Sequence, residues 1–92
     1  MSKKVIKKNI SSEENLSLAV VNKLRCNLFG NFAVVIEGHK GLKTFLLEKI
    51  IFKADKKQNV SIVGKNLSIK QLTLGYALVM GEISGIIYEE II

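Results

Sequence analysis

Apolar and polar residues alternate along the chain from residue 24 onward. Every second residue from Leu24 to Leu28 is apolar, and the residues between them are basic or polar. This period of two is typical of a strand with one buried face and one wet face. Residues 32–36 are apolar on both sides of the next strand. We therefore expect Cys26 to face the core, and residues 32–36 to form a central strand covered on both faces.

Two glycines, Gly38 and Gly41, follow this apolar run at a spacing of three. Glycine tolerates the positive φ angles that tight hairpin loops require. The chain is therefore predicted to reverse at residues 38–41, with a returning strand that begins at Leu42. Glu37 and His39 lie in or next to this predicted reversal.

The rest of the chain is predicted to form short strands separated by turns. Residues 42–54 favour strand, and the change of phase at Ile50 and Ile51 predicts a bulge or a break there. Gly81 and Gly85 favour bends or bulges within the last apolar segment. Loops are predicted at residues 55–59 and 64–66. Strands are predicted at residues 60–63, 67–70 and 76–88.

Six or seven short strands joined by tight turns predict an all-β fold, either a small antiparallel sandwich or a coiled β-roll. Ser11 and Glu14 have the spacing of a capping box, which favours a short helix within residues 13–21. A chain of 92 residues can bury one hydrophobic core. We expect a flexible basic arm at residues 1–12 and a single domain at residues 13–92.

The formal net charge of +6 is uneven, because four lysines in the predicted arm account for most of it. Residues 11–92 carry ten basic and eight acidic groups. Attraction of a lysine to anionic lipid is worth about 1 kcal/mol near the surface, so such an arm needs a second anchor to hold a protein there. The arm is either a solvated tail or an anionic-surface contact formed by Lys3, Lys4, Lys7 and Lys8.

The single cysteine excludes an internal disulfide and indicates a reducing compartment. The basic N-terminus is followed by polar residues rather than an apolar core, so we predict no secretory signal. The longest uncharged stretch, residues 71–81, is far shorter than the roughly 20 apolar residues of a membrane-spanning helix. These features predict a cytoplasmic protein.

Residues that could carry chemistry are few. His39 is the only histidine, and with Glu37 it offers two ligands where zinc takes three or four. Cys26 and His39 lack an orienting third residue, and no glycine-rich phosphate loop occurs. We therefore expect no enzymatic activity, no metal and no cofactor.

A nucleic-acid-binding β-barrel is the alternative function, since lysines and aromatic residues together can form a surface on which bases stack. Most of the phenylalanines occur in apolar runs, where packing in the core is the simpler interpretation. By elimination, the composition favours an interaction module whose sheet edges pair with a partner strand or a second copy. The aromatic residues are Phe29, Phe32, Phe45, Phe52, Tyr76 and Tyr88.

The order of motifs from residue 28 to residue 89 resembles the YabP/YqfC family of bacterial sporulation proteins. The resemblance covers about two thirds of the chain, and only the complete series of motifs in order makes it specific. The motifs are Gly30-Asn31, Ile36-Glu37-x-His39-x-Gly41, Ile62-x-Gly64-x-x-Leu67-x-Ile69 and Gly81-x-Ile83-x-x-Ile86-x-Tyr88.

The resemblance implies a non-enzymatic protein of endospore-forming bacteria that acts in the mother cell, peripherally at the forespore envelope, during cortex formation. It also implies an adaptor role beside a membrane-embedded sporulation protein. Glu37, His39 and Gly41 belong to the family hairpin and have one of two roles. They hold the turn, with His39 donating to a backbone carbonyl or to Glu37, or they form a recognition point for a partner.

Overall fold

The computed structural model describes residues 5–9 and 24–91, with side chains described for residues 24–90. All regular structure in these ranges is β-strand, which confirms the all-β prediction. The seven strands are β1 (Val5–Asn9), β2 (Arg25–Phe29), β3 (Ala33–Glu37), β4 (Leu42–Phe45), β5 (Lys49–Asp55), β6 (Gln58–Thr73) and β7 (Tyr76–Ile91).

The strands form one antiparallel sheet around a long hairpin of β6 and β7. These two strands have 16 residues each and pair along almost their whole length. The other strands extend the hairpin on both edges, in the order β2-β3-β7-β6-β5-β4. On the free edge of β7, β3 pairs with Tyr76–Met80 and β1 pairs with Ile87–Ile91. β5 pairs with Gln58–Val63, the first part of β6.

The sheet therefore has two halves that share the β6–β7 hairpin. We call them the β2–β3 half and the β4–β5 half. Side chains on one face of both halves form a single hydrophobic cluster, so the sheet coils around its own core as a β-roll. This cluster consists of Leu24, Cys26, Val34, Ile36, Ile50, Phe52, Ala54, Val60, Ile62, Leu67, Ala77, Val79, Ile83, Ile86 and Tyr88.

Two glycines allow β6 and β7 to approach closely where the halves meet. A Cβ atom on Gly64 would overlap the carbonyl oxygen of Glu82, and one on Gly81 would lie 2.8 Å from the carbonyl oxygen of Asn66. The pairing shifts register on both sides of Lys65, and such bulges bend a strand. We call this glycine-dependent region the waist of the sheet.

The prediction that the chain reverses into a hairpin at residues 38–41 is wrong, because β3 and β4 do not pair with each other. β3 pairs with β2 and β7, whereas β4 pairs with β5. Gly38 and Gly41 have the expected positive φ angles, 88° and 140°. Their hydrogen bonds nevertheless join other parts of the chain, from Gly38 N–H to the Gly75 carbonyl (2.7 Å) and from Lys53 N–H to the Gly41 carbonyl (2.8 Å). Residues 38–41 are a crossover between the halves.

Some strand limits also differ from the prediction. The predicted turn at residues 64–66 is a bulged part of β6, because the chain continues its pairing with β7 beyond it. The break expected at Ile50 and Ile51 lies at residues 46–48, between β4 and β5. Gly81 and Gly85 do lie beside register shifts within β7, as predicted.

The N-terminal part of the chain is described only in part. Val5–Asn9, within the predicted flexible arm, form β1, with Lys7 opposite Glu89 and Lys8 opposite Tyr88. These five residues of the predicted arm thus form a strand at the edge of β7, and the division into an arm at residues 1–12 and a domain at residues 13–92 stays a prediction. Lys3, Lys4 and the helix expected within residues 13–21 lie outside the described residues.

Candidate functional site

His39 holds the crossover against the core. Its side chain is buried, and its ring centroid lies 5.0 Å from that of Phe52, which is also buried. The backbone N–H of Gly41 donates to His39 Nδ1 at 3.0 Å. Because Nδ1 accepts, the proton of the neutral imidazole lies on Nε2. His39 therefore joins the crossover to β5 by a ring contact and closes its own loop by a hydrogen bond.

The contacts expected of Glu37 and His39 differ from those observed. His39 accepts a hydrogen bond through Nδ1, and its buried Nε2 has no hydrogen-bond partner among the described residues. The expectation that His39 donates to a carbonyl or to Glu37 is therefore wrong within residues 24–90. Glu37 is half-buried on β3, between Arg25 and Tyr76 in the register. Whether these residues serve recognition stays a prediction.

Cys26 lies on β2 with its side chain in the core, as the alternation predicted. Burial raises the pKa of its thiol to about 12. The thiol is therefore protonated at neutral pH, and a protonated thiol is a poor nucleophile and a poor metal ligand. Within the two described ranges, no group of three or more His, Cys, Asp or Glu residues is arranged to hold a metal ion.

Two more buried polar atoms lie close together in the register, near the end of the hairpin. Tyr88 is opposite Val60, and Gln58 is one inward-facing position away on β6. Tyr88 Oη and Gln58 Oε1 have no hydrogen-bond partner in the described part of the chain. Burial, followed by the charges of Glu90, Asp55 and Cys26, raises the pKa of Tyr88 to about 12. The phenol therefore stays neutral at physiological pH.

The longest run of consecutive exposed large apolar residues within residues 24–90 lies where β4 turns into β5. Phe45, Leu46 and Leu47 are 50%, 55% and 58% exposed, and we call these three residues the apolar turn. Leu42, which precedes them on β4, is also exposed. Sequence reasoning placed this segment within a strand and missed the turn. The unbroken apolar run that ends at Glu48 was the available signal.

Positive charge is concentrated around the same hairpin. Residues 40–57 contain six lysines and only two acidic residues, whereas residues 58–90 contain two lysines and three acidic residues. Five of the six lysines are exposed. The net charge of residues 11–92 is close to zero, but the net charge of the β4–β5 hairpin is not. A charge count over short windows finds the difference.

A second tight turn, between β2 and β3, also carries exposed aromatic residues. Phe29 and Phe32 are each about half exposed. The expectation that most phenylalanines pack in the core is therefore wrong, because Phe52 alone of the four is buried. Its surroundings differ from those of the apolar turn, since residues 24–39 contain one arginine and one glutamate.

Comparison with known families identifies the chain. The model of the YabP family matches residues 21–91, which is 71 of the 92 residues. The chain belongs to the YabP family. The match includes β2 to β7 and therefore both halves of the sheet. No curated protein and no solved structure matches the chain.

Membership of the YabP family fits a sporulation-related protein, as the resemblance in the motifs implied. The match contains the crossover with His39, the glycines of the waist and the apolar turn. As for membrane contact, none of the described residues forms a helix of the length and apolar character needed to cross a bilayer.

Proposed function

We propose that this YabP-family chain is a non-enzymatic adaptor of sporulation. It acts in the mother cell, peripherally at the forespore envelope during cortex formation, beside a membrane-embedded partner protein. The observation that carries the adaptor role is the apolar turn, which leaves three large apolar side chains in water at a fixed position. Family membership supports the sporulation setting.

The surroundings of the reactive side chains support a non-enzymatic role. Cys26 is buried and protonated at neutral pH. His39 uses Nδ1 to accept the hydrogen bond from Gly41 and is itself buried. A general base or a nucleophile must reach a substrate, and neither side chain is accessible to one.

An adaptor needs an exposed surface whose side chains are not already packed in the hydrophobic core. Exposed apolar groups that are contiguous and bordered by polar residues are typical of interaction sites. The apolar turn meets this description, since Lys43 and Lys49 flank it along the chain. By contrast, Leu74 at the β6–β7 turn is fully exposed but has no exposed large apolar residue directly next to it in sequence, the nearest being Leu72.

Deletion of the gene in its sporulating host tests the biological setting. We expect the deletion strain to stop at the stage of envelope and cortex building, and the wild-type gene to restore spores. A Leu46→Ser/Leu47→Ser variant should fail to restore them, whereas the control Leu74→Ser should succeed. Normal spores in the deletion strain, or full restoration by the double variant, would contradict the proposal.

Membrane fractionation tests the partner. A tagged copy should sediment with membranes from sporulating cells and resist a high-salt wash, because a protein partner is present. In vegetative cells, which lack the sporulation partner, the same copy should be removed by salt. Salt-resistant sedimentation from both kinds of cell would count against a dedicated partner.

The half-exposed phenylalanines give the nucleic-acid alternative a specific basis. Phe29, Phe32 and Phe45 present ring surface to solvent, and base stacking on an aromatic residue is worth about 1–3 kcal/mol per base. This function predicts retention of single-stranded oligonucleotides that falls steeply with salt. A flat gel-shift titration at low salt would eliminate it.

A further inference from the structure

The backbone of the β4–β5 turn is fixed independently of its side chains. Leu46 N–H donates to the Lys49 carbonyl at 2.8 Å, and Lys49 N–H donates to the Leu46 carbonyl at 3.3 Å. The waist adds two bonds, from Leu67 N–H to the Leu47 carbonyl (2.9 Å) and from Gly64 N–H to the Glu48 carbonyl (3.0 Å). Polar residues would serve such a turn equally well. The backbone of the turn therefore does not require leucine at residues 46 and 47.

The shape of this edge disfavours addition of a partner strand. A β-bulge between Leu42 and Thr44 interrupts the pairing of β4. Bulges at sheet edges impede the regular backbone pairing that an added strand requires. An added strand also recognises side chains on alternating positions. The three consecutive exposed apolar residues of the turn are instead arranged to insert together into a soft surface.

The charges around the apolar turn select an anionic surface. Lys43 and Lys65 are exposed beside it, and Lys65 directly follows Gly64, whose N–H is bonded to the turn. Lys49 closes the turn and is half-buried. The acidic residues nearby are Glu48 in the turn and Glu82, which lies opposite Lys65. Beside the turn, Lys43, Lys49 and Lys65 outnumber Glu48 and Glu82, so a second copy of the same surface would present the same sign of charge.

We infer that the apolar turn is a lipid-binding tip, which enters the headgroup region of an anionic bilayer while the lysines beside it contact lipid phosphates. Burial of apolar side chains and attraction of lysines to anionic lipid act together at such interfaces, and either one alone gives weak, reversible binding. The inference rests on the same apolar turn as the proposed adaptor role but assigns this surface to lipid instead of to the partner protein, so vesicle binding requires no protein partner. It supplies the second anchor that the N-terminal lysines lack.

Co-sedimentation of the purified full chain with lipid vesicles tests the apolar part of this inference. The vesicles contain equal parts of phosphatidylglycerol and phosphatidylcholine, or phosphatidylcholine alone. The wild type should bind the anionic vesicles about tenfold more tightly than the neutral ones, because each nearby lysine contributes. Leu46→Ser/Leu47→Ser should weaken anionic binding about tenfold. The matched control, Leu74→Ser, should bind within about twofold of wild type because this leucine lies at another turn.

Lysine variants test the electrostatic part. Lys43→Gln/Lys65→Gln should weaken binding by about tenfold, since both charges lie at the proposed interface. Lys56→Gln/Lys57→Gln removes the same charge from the β5–β6 turn, at the other end of β5. This control should change binding by less than about threefold, because salt screens charges beyond roughly 8–10 Å.

All four variants change exposed residues, so circular dichroism and thermal melting should match the wild type. Absence of vesicle binding by folded wild type would overturn the inference, as would equal loss in the Leu74 control. Binding of single-stranded oligonucleotides but not vesicles, removed by the same variants, would assign the turn to nucleic acid instead. None of these results depends on the deletion phenotype, so the lipid tip and the sporulation role can fail separately.

Discussion

The β2–β3 turn and the β4–β5 turn dock on the β6–β7 hairpin in the same way but present different surfaces. At the first turn, the carbonyls of Asn31 and Phe32 accept from Ile83 N–H (2.7 Å) and Gly81 N–H (3.0 Å). At the second, the carbonyls of Leu47 and Glu48 accept from β6 at 2.9 and 3.0 Å. The two turns thus fasten opposite edges of the waist.

The difference lies in the residues around each turn. The β2–β3 turn is bordered by one arginine and one glutamate within residues 24–39, whereas the β4–β5 turn has Lys43, Lys49 and Lys65 beside it, with Glu48 and Glu82. Backbone docking alone therefore does not decide what a turn binds. The scaffold is common to both turns, and the side chains make one of them suited to an anionic surface.

The largest expected effect comes from destroying the waist that both turns share. Gly64→Ala and Gly81→Ala should each cost about 3 kcal/mol of unfolding free energy, because the new methyl group meets backbone atoms of the facing strand. Gly81 also has a φ of 147°, which other residues rarely adopt. Urea unfolding measures the loss.

Gly85→Ala is the control for the waist. Its Cβ would lie 3.7 Å from Val63 Cγ2, an ordinary contact, and Gly85 has no positive φ. It should change stability by less than about 1 kcal/mol. Equal losses for all three variants would show that the close approach of β6 and β7 is not what makes glycine necessary.

A second effect should weaken the β2–β3 half as pH rises. Burial raises the pKa of Cys26 from 9.0 to about 12, so the folded state binds this proton more tightly than the unfolded state. The corresponding stability is complete below pH 9 and is lost as pH rises toward 12. Between pH 9 and pH 11 we expect Cys26 to contribute a loss of about 2 kcal/mol in urea unfolding. Tyr88, whose pKa is raised from 10.0 to about 12, adds to the loss above pH 10. Cys26→Val should remove the Cys26 contribution and leave that of Tyr88, and an unchanged slope would contradict the assignment.

An effect of similar size should follow from removing the His39 contacts that join the crossover to β5. His39→Ala removes both the acceptor for Gly41 N–H and the ring contact with Phe52, so it should cost about 2 kcal/mol. His39→Asn can still place an acceptor near the position of Nδ1 and should recover about 1 kcal/mol of this. Thermal or urea melts compare the two variants. If asparagine is no better than alanine, the hydrogen bond to Nδ1 contributes little.

The smallest stability effects should occur at the turns themselves. Phe32→Ser and Leu47→Ser each replace a half-exposed side chain, so each should change stability by less than about 0.5 kcal/mol. A larger loss at either site would mean that its side chain serves the fold. Vesicle binding should then separate them, because Leu47→Ser should weaken it and Phe32→Ser should not.

Period-two alternation predicted the fold class because burial of one sheet face is a local property of the sequence. It placed Cys26 in the core and β2 and β3 within a residue of their observed limits. The bends at Gly81 and Gly85 were predictable because a glycine inside an apolar strand segment is visible in the sequence and favours a bulge. These features need no knowledge of which strands are neighbours.

Strand pairing was not predictable in the same way. Gly38 and Gly41 do adopt positive φ angles, but glycines with positive φ occur both in hairpins and in crossovers. The two glycines therefore do not show which strand the chain pairs with next. Gly64 looked like a turn, although its real constraint is a carbonyl of the facing strand 18 residues away in sequence. The apolar turn was missed for a related reason, since an exposed leucine and a buried leucine look alike until the neighbours are known.

The most direct test is a nuclear magnetic resonance titration of the labelled full chain with anionic lipid bicelles. Signals of residues 42–49 should shift or broaden, and those of residues 29–33 should stay unchanged. The waist amides of Gly64, Leu67, Gly81 and Ile83 should stay protected from exchange throughout, since the scaffold does not open. Equal perturbation of both turns, or none at residues 42–49, would contradict the account.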